Sequence, residues 1–500
     1  MRRLSAVEYT RAVRALTLVN PFPLSAPDPV VHGFDDNADA LAISTGNFED
    51  FRLSAELAAN AFDVSGRAPC PSQAQQESCA RDFAASFSER AFGRRASDAE
   101  LATQLDLYHQ ASGDDGYEAG IRAIAQAVLM SPHFLYRTEL GPETSEAREV
   151  SLTGEEAANA LSFALTGERP DAELLNRLRG REPGVAREVL REQANRLAVT
   201  PASRAHFQRF LRALFGVSDL RVVNKVPALF PSYTPELKVA LDTELSLFFE
   251  HALGPGGGTL NAVLGASQTF ANRSLLSSIY AEDYQGAALP ATPETGEFVA
   301  LPFNPNLRRG LFGTAAWLSA HSPVHRSSPV ERGLAIRSRL LCLTLAPPAG
   351  LSIAQPGSGD ADGTTRQKFE RHAQDPLCNT CHQWIDPIGF GLEMMDAIGR
   401  YRVEEAGLPV NSAGALTGTD ADGPFQGPAE LAERLMQSRD VRTCFVTQLF
   451  RYVEGRDERP EDACELQPLQ QFFADPARTF ADLSVEMVSR AGFSLRRREQ

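Results

Sequence analysis

Thr234-Pro235-Glu236-Leu237-Lys238-Val239-Ala240-Leu241-Asp242-Thr243-Glu244-Leu245-Ser246-Leu247-Phe248-Phe249 is the stretch that decides the fold class. Thr234 offers a hydroxyl to cap a helix, and Pro235 follows at the first helical position, where its missing N–H costs nothing. Leu237, Leu241, Leu245, Phe248 and Phe249 then recur at helical spacing and share one face. Gly254-Pro255-Gly256-Gly257-Gly258 stops the run. No Lys-Ser/Thr pair follows those glycines, so they read as a helix stop and not as a phosphate loop.

The same grammar recurs along the chain. Ser5-x-x-Glu8, Ser97-x-x-Glu100 and Thr153-x-x-Glu156 are capping boxes, each leading into an apolar-periodic run. From Tyr117, the residues Ile121, Ile124, Ala125, Val128 and Leu129 share a face before Ser131-Pro132 ends the helix. Alternating apolar-polar runs are few and short, so the chain reads as mostly α.

Breakers divide it. A polar, Pro-rich stretch lies near 18–36, a polar join at 141–150, and loops around Pro347-Pro348, Gly357–Thr364 and 411–427. The expected organisation is an N-terminal helical segment at 1–60 and a helical unit at 75–140. A larger helical domain follows at 151–330, a distinct segment at 331–410 and a C-terminal helical unit at 425–496.

Hydrophobic content of 43% and charged content of 23% over 500 residues belong to a globular chain with a sizeable core. A net charge of −15 disfavours nucleic acid or an anionic membrane as partner. No apolar run approaches the ~20 residues that cross a bilayer.

The segment at 331–410 holds Cys378-Asn379-Thr380-Cys381-His382, the C-x-x-C-H spacing of covalent haem c attachment. Two thiols at this spacing reach both vinyl groups, and the adjacent histidine lies under the iron as an axial ligand. Zinc normally takes four ligands, and no second C-x-x-C is present to complete them. A redox dithiol belongs at a helix start after a strand, and nothing upstream reads as that strand. The expectation is one haem c, held by Cys378, Cys381 and His382, on a mostly α protein of multi-helical units with a cytochrome c-like haem-binding segment.

A ligating imidazole needs an acceptor at its other nitrogen, and Asp386-Pro387-Ile388-Gly389 offers a carboxylate or a carbonyl, or forms an ordinary turn. Trp384, Phe390 and Leu392 are candidates for the porphyrin edge or for core. Arg371, Arg400 and Arg402 are candidates for propionate partners or for surface ion pairs. The sixth iron position decides between a carrier and an enzyme. His372 is the leading candidate, with His321, His325 and Met436 behind it, and an open position remains an alternative. Met394 and Met395 follow His382 too closely to return to the opposite face.

Seven cysteines include two in the motif. Cys70 with Cys79, and Cys444 with Cys464, are near enough in sequence to close short disulfide loops, which leaves Cys342 as a buried thiol. Met1-Arg2-Arg3 leads into polar residues and shows no signal peptide. Haem c is attached after export, so the reading expects a periplasmic or envelope location with the start lying further upstream.

The run His372 to Arg402, HAQDPLCNTCHQWIDPIGFGLEMMDAIGRYR, resembles the haem-motif segment of the planctomycete-type multidomain cytochrome-like proteins. The likeness continues in Arg3-Leu4 with Glu8-Tyr9, in Phe87 to Arg94, and in Ser131-Pro132-His133-Phe134-Leu135-Tyr136-Arg137. It extends to Ser328-Pro329 with Arg332-Gly333, and to Cys444 with Phe450-Arg451-Tyr452 and Gly455-Arg456. The resemblance implies consecutive domains of unknown function, usual export, and haem at Cys378, Cys381 and His382. His372 matches a recurrent family position, whereas Met394-Met395 departs from the usual Asn-aromatic pair. Many members carry an additional N-terminal cytochrome domain. None is seen here, so a single haem is implied.

The functional expectation is an exported monohaem protein passing electrons to an unknown redox partner. The alternatives are a haem peroxidase or oxygenase with its pocket formed by 151–330, and a non-redox scaffold or binding protein.

Overall fold

A computed structural model describes the chain except residues 23, 25–26, 143–146, 148, 182–186, 285–295, 344, 346–362 and 498–500. Most of the loop expected over 347–364, and part of the join at 141–150, lie outside the described residues. The protein is mostly α, and its strands pair only as two-stranded antiparallel ribbons among the described residues. The chain forms two compact units, one from residues 1–207, 450–465 and 484–500, the other from 208–449 and 466–483.

In the first unit, helices α1 (Ala6–Thr17), α2 (Thr45–Asn60), α3 (Gln76–Phe92) and α4 (Asp98–Met130) enclose one core. Tyr9, Phe51, Phe62, Phe87, Ile121, Ile124 and Phe134 meet there, with Tyr9 set edge-on to Phe51 at 4.7 Å. The three expected capping boxes form, the third opening α5 (Gly154–Thr166). Each satisfies two N–H groups that a helix start leaves orphaned. Gly116, at φ 80°, breaks α4 immediately before the apolar run that begins at Tyr117. Cys70 and Cys79 are joined as a disulfide.

In the second unit, Thr234 caps α6 (Pro235–Leu253) by accepting from the Leu237 N–H, with Pro235 in the first turn. The apolar face of this helix is buried as its spacing predicts, and it carries Glu244 into the interior as well. Helix α7 (Pro329–Ala335) lies across α9 (Pro376–Phe390), after α8 (Thr365–His372). Gly333 faces the Ile385 carbonyl and Gly389 faces the Pro329 carbonyl, each so closely that a Cβ at either position would collide with backbone. The two glycines let α7 and α9 approach to backbone contact.

Cys444 pairs with Cys342, not with Cys464. Cys464 is exposed at the start of the helix Ala463–Phe473 and remains a free thiol. Cys342, expected as a leftover thiol, instead closes a loop across 102 residues.

Candidate haem-attachment site

The motif lies in the first two turns of α9. Asp375 caps this helix by accepting from the Leu377 N–H at 2.8 Å and the Cys378 N–H at 3.4 Å, and Pro376 follows it. Residues 378, 381 and 382 sit at spacings of three and four and therefore share one helix face. Cys378 and Cys381 are both free and partly exposed.

His382 is turned by its partner. Its Nδ1 lies 3.0 Å from each carboxylate oxygen of Asp386, one helical turn on. That contact leaves Nε2 unengaged by it. Asp386 is buried, with its side chain 4% exposed. Burial pushes its carboxyl up, while the hydrogen bond and charge of His382, and then the charge of His372, pull it back. Of the three readings open to Asp386-Pro387, carboxylate, carbonyl and ordinary turn, the structure shows the carboxylate one.

Further along α9, Pro387 has no N–H to close on the Gln383 carbonyl. The next carbonyl, that of Trp384, accepts instead from Arg337 Nε at 3.0 Å and from its terminal nitrogen at 2.7 Å. Arg337 also donates to Thr417 O at 2.7 Å. Arg332 on α7 is fully buried and donates to the carbonyls of Leu392, Met395 and Asp396 at 3.0, 2.8 and 2.7 Å. The two arginines and the two glycines clamp the chain on either side of the motif.

His372, the last residue of α8, stands beside His382 with ring centroids 5.1 Å apart. Its helix is anchored by buried Phe369 and by Thr365, whose N–H and hydroxyl both donate to Glu405 at 2.7 Å. The other sequence candidates are engaged elsewhere or stand apart. His321 bonds through Nε2 to Phe215 O at 2.8 Å and lies against Trp317, and burial drives its pKa down to about 4. Met436 packs on Gly265, Met394 on Gly427, and Met395 is core. His325, four residues after His321, is half-buried, its imidazole pushed down first by burial and then by Arg326.

Of the candidate porphyrin-edge residues, Trp384 is partly exposed, while Phe390 and Leu392 are core. Of the candidate propionate partners, Arg400 is paired with Asp396 at 2.8 Å and Arg402 with Glu393 at 2.9 Å. Arg371 is exposed beside the segment. No group of three or more His, Cys, Asp or Glu side chains placed to hold a metal ion exists among the described residues. The motif is thus arranged as two free thiols and one oriented imidazole, a donor set that fits covalent haem.

Sequence reasoning missed the structural weight of Arg332 and Arg337, whose partners are mainly backbone carbonyls that leave no trace in residue types. It also missed Glu244, whose position between Leu241 and Leu245 on the apolar face was the available signal.

Comparison with known families matches five consecutive segments, each to a family described as a protein of unknown function. Residues 2–64 match DUF1587, 79–139 DUF1595, 152–281 DUF1592, 308–405 DUF1588 and 422–493 DUF1585. The motif falls in the fourth. No curated protein and no solved structure matches the chain.

Proposed function

This chain belongs to the planctomycete-type multidomain cytochrome-like proteins, and from that premise we propose that it is an exported protein that passes electrons through one covalent haem c. The observation that carries the reading is the state of the motif: two free thiols on one face of α9 beside an imidazole whose Nδ1 is already held. Cys378 and Cys381 would form the thioether links, and His382 would present Nε2 as axial ligand. The bound haem supplies one-electron redox chemistry.

His372, whose ring lies 5.1 Å from that of His382, is the candidate sixth ligand, and its coordination would make a carrier instead of a peroxidase or oxygenase. Two strong axial ligands suit electron transfer, whereas an open position suits peroxide or oxygen chemistry. Two disulfides suit an oxidising compartment. No helix among the described residues is long and apolar enough to cross a membrane.

The test is the reduced pyridine haemochrome of full-length protein matured in a host that exports it and attaches haem c. The expected result is a c-type spectrum that survives denaturation, with attachment weakened in Cys378→Ala or Cys381→Ala and abolished in the double variant. Wild-type protein that emerges without covalent haem ends the reading.

A further inference from the structure

The acceptor behind His382 is a carboxylate. A backbone carbonyl in that place would carry only a partial charge, whereas Asp386 brings a full one into a buried position. Both of its oxygens lie 3.0 Å from Nδ1, and among the described residues its side chain makes no other hydrogen bond. The spacing of four within one helix fixes the pair without help from a loop. Ile385 and Gly389, on either side of Asp386, are the residues at which α9 meets α7, so the backbone carrying the carboxylate has little room to shift.

Two consequences follow from this geometry. An imidazole that donates from Nδ1 to a carboxylate keeps its proton there and offers Nε2 as the ligand atom, with raised basicity. A buried negative charge close to a metal centre also favours the more positive oxidation state, because the local dielectric screens it poorly.

Resting on the haem reading above, we propose that Asp386 is a positioning residue that acts through His382: it sets the ligand tautomer and holds the iron at a low reduction potential. The protein is thereby suited to donate electrons to a partner of higher potential. His382 is the only described hydrogen-bond partner through which Asp386 acts, so the effect is separable from the thioether chemistry of Cys378 and Cys381.

Asp386→Asn is the diagnostic change, because it keeps an acceptor oxygen and nearly the same volume while removing the charge. In the haem-loaded full chain, spectroelectrochemical titration should show the ferrous-to-ferric ratio at a fixed applied potential rising at least tenfold, about 59 mV for one electron. An unchanged potential in a variant with an intact absorption spectrum overturns the proposal.

A second readout needs no haem. In apoprotein labelled with ¹⁵N-histidine, His382 should carry its proton on Nδ1 in wild type and become a tautomer mixture in Asp386→Leu. A wild-type proton on Nε2 also overturns the proposal. Should wild type take up no covalent haem, the reading of the motif fails and the potential claim with it. The apoprotein spectra still decide separately whether Asp386 holds the ring.

Discussion

The imidazoles of His372 and His382 meet edge to face, with centroids 5.1 Å apart and planes inclined at 76°. Only Ala373, Gln374 and Asp375 separate the end of α8 from the start of α9, so the connection holds the two rings near one another. With His372 as the sixth ligand, the wild-type haem protein should be low-spin in the ferric state without added ligand. His372→Ala should open one coordination position and give a high-spin spectrum that cyanide returns to low spin. Electronic absorption and electron paramagnetic resonance read this directly. A variant that stays low-spin shows that a side chain other than His372 completes the sphere.

Gly333 and Gly389 should tolerate no side chain. A methyl group at either drives into a backbone carbonyl, which cannot rotate away as a flexible side chain would. Gly333→Ala and Gly389→Ala should each cost about 1–3 kcal/mol in urea unfolding, the usual range for overpacking. Gly113→Ala is the control: the position is helical and meets nothing, so the change should be neutral or stabilising by up to about 1 kcal/mol. Equal midpoints for all three variants would refute the close crossing of α7 and α9.

What the residues disclosed in advance was local. Caps at Ser5, Ser97, Thr153 and Thr234 act within four residues, and each formed as its spacing predicts. The bond from His382 to Asp386 spans one helical turn, and the sequence left it open among a carboxylate, a carbonyl and an ordinary turn. Long-range relations were not legible in the same way. Cys342 meets Cys444 only because the fold brings them together across 102 residues. Arg332 looks like any surface charge in sequence, and only its place on the apolar face of α6 marks Glu244. Arg332 finds mainly backbone carbonyls, and Glu244 takes hydroxyls and one amide N–H, groups that no residue pattern advertises.

The long disulfide makes a clear prediction. Closing a loop of this length restricts the unfolded chain strongly, by up to about 4.7 kcal/mol on the chain-entropy account. Cys444→Ala should therefore lower stability by several kcal/mol, and reduction of wild type should do the same. Cys464→Ser, at an exposed free thiol, should change nothing. Peptide mapping without reductant checks the connectivity, and a Cys444–Cys464 peptide would contradict the structure.

Glu244 gives the protein a pH dependence that runs opposite to that of an ordinary ion-paired carboxylate. It is fully buried, accepts from Thr269 at 2.7 Å, from the Ala316 N–H at 3.1 Å and from the Tyr280 hydroxyl, and among the described residues has no arginine in direct contact. Burial raises its pKa from 4.5 to about 7, outweighing those hydrogen bonds and the charge of Arg308. The folded chain thus holds this proton more tightly than the unfolded chain does. Its contribution to stability is complete below pH 4.5 and declines as pH rises to about 7, by about 3 kcal/mol in all. Tyr280, raised well above its usual range, stays protonated throughout and adds nothing to this window. Glu244→Gln cannot titrate, although its amide meets the Ala316 N–H less well and should destabilise the protein at low pH. The stability of wild type minus that of Glu244→Gln, from denaturant unfolding at pH 5 and pH 8, should fall across the interval. A difference that stays constant would show that Glu244 is already ionised in the fold at pH 5, with its charge satisfied by the three donors around it.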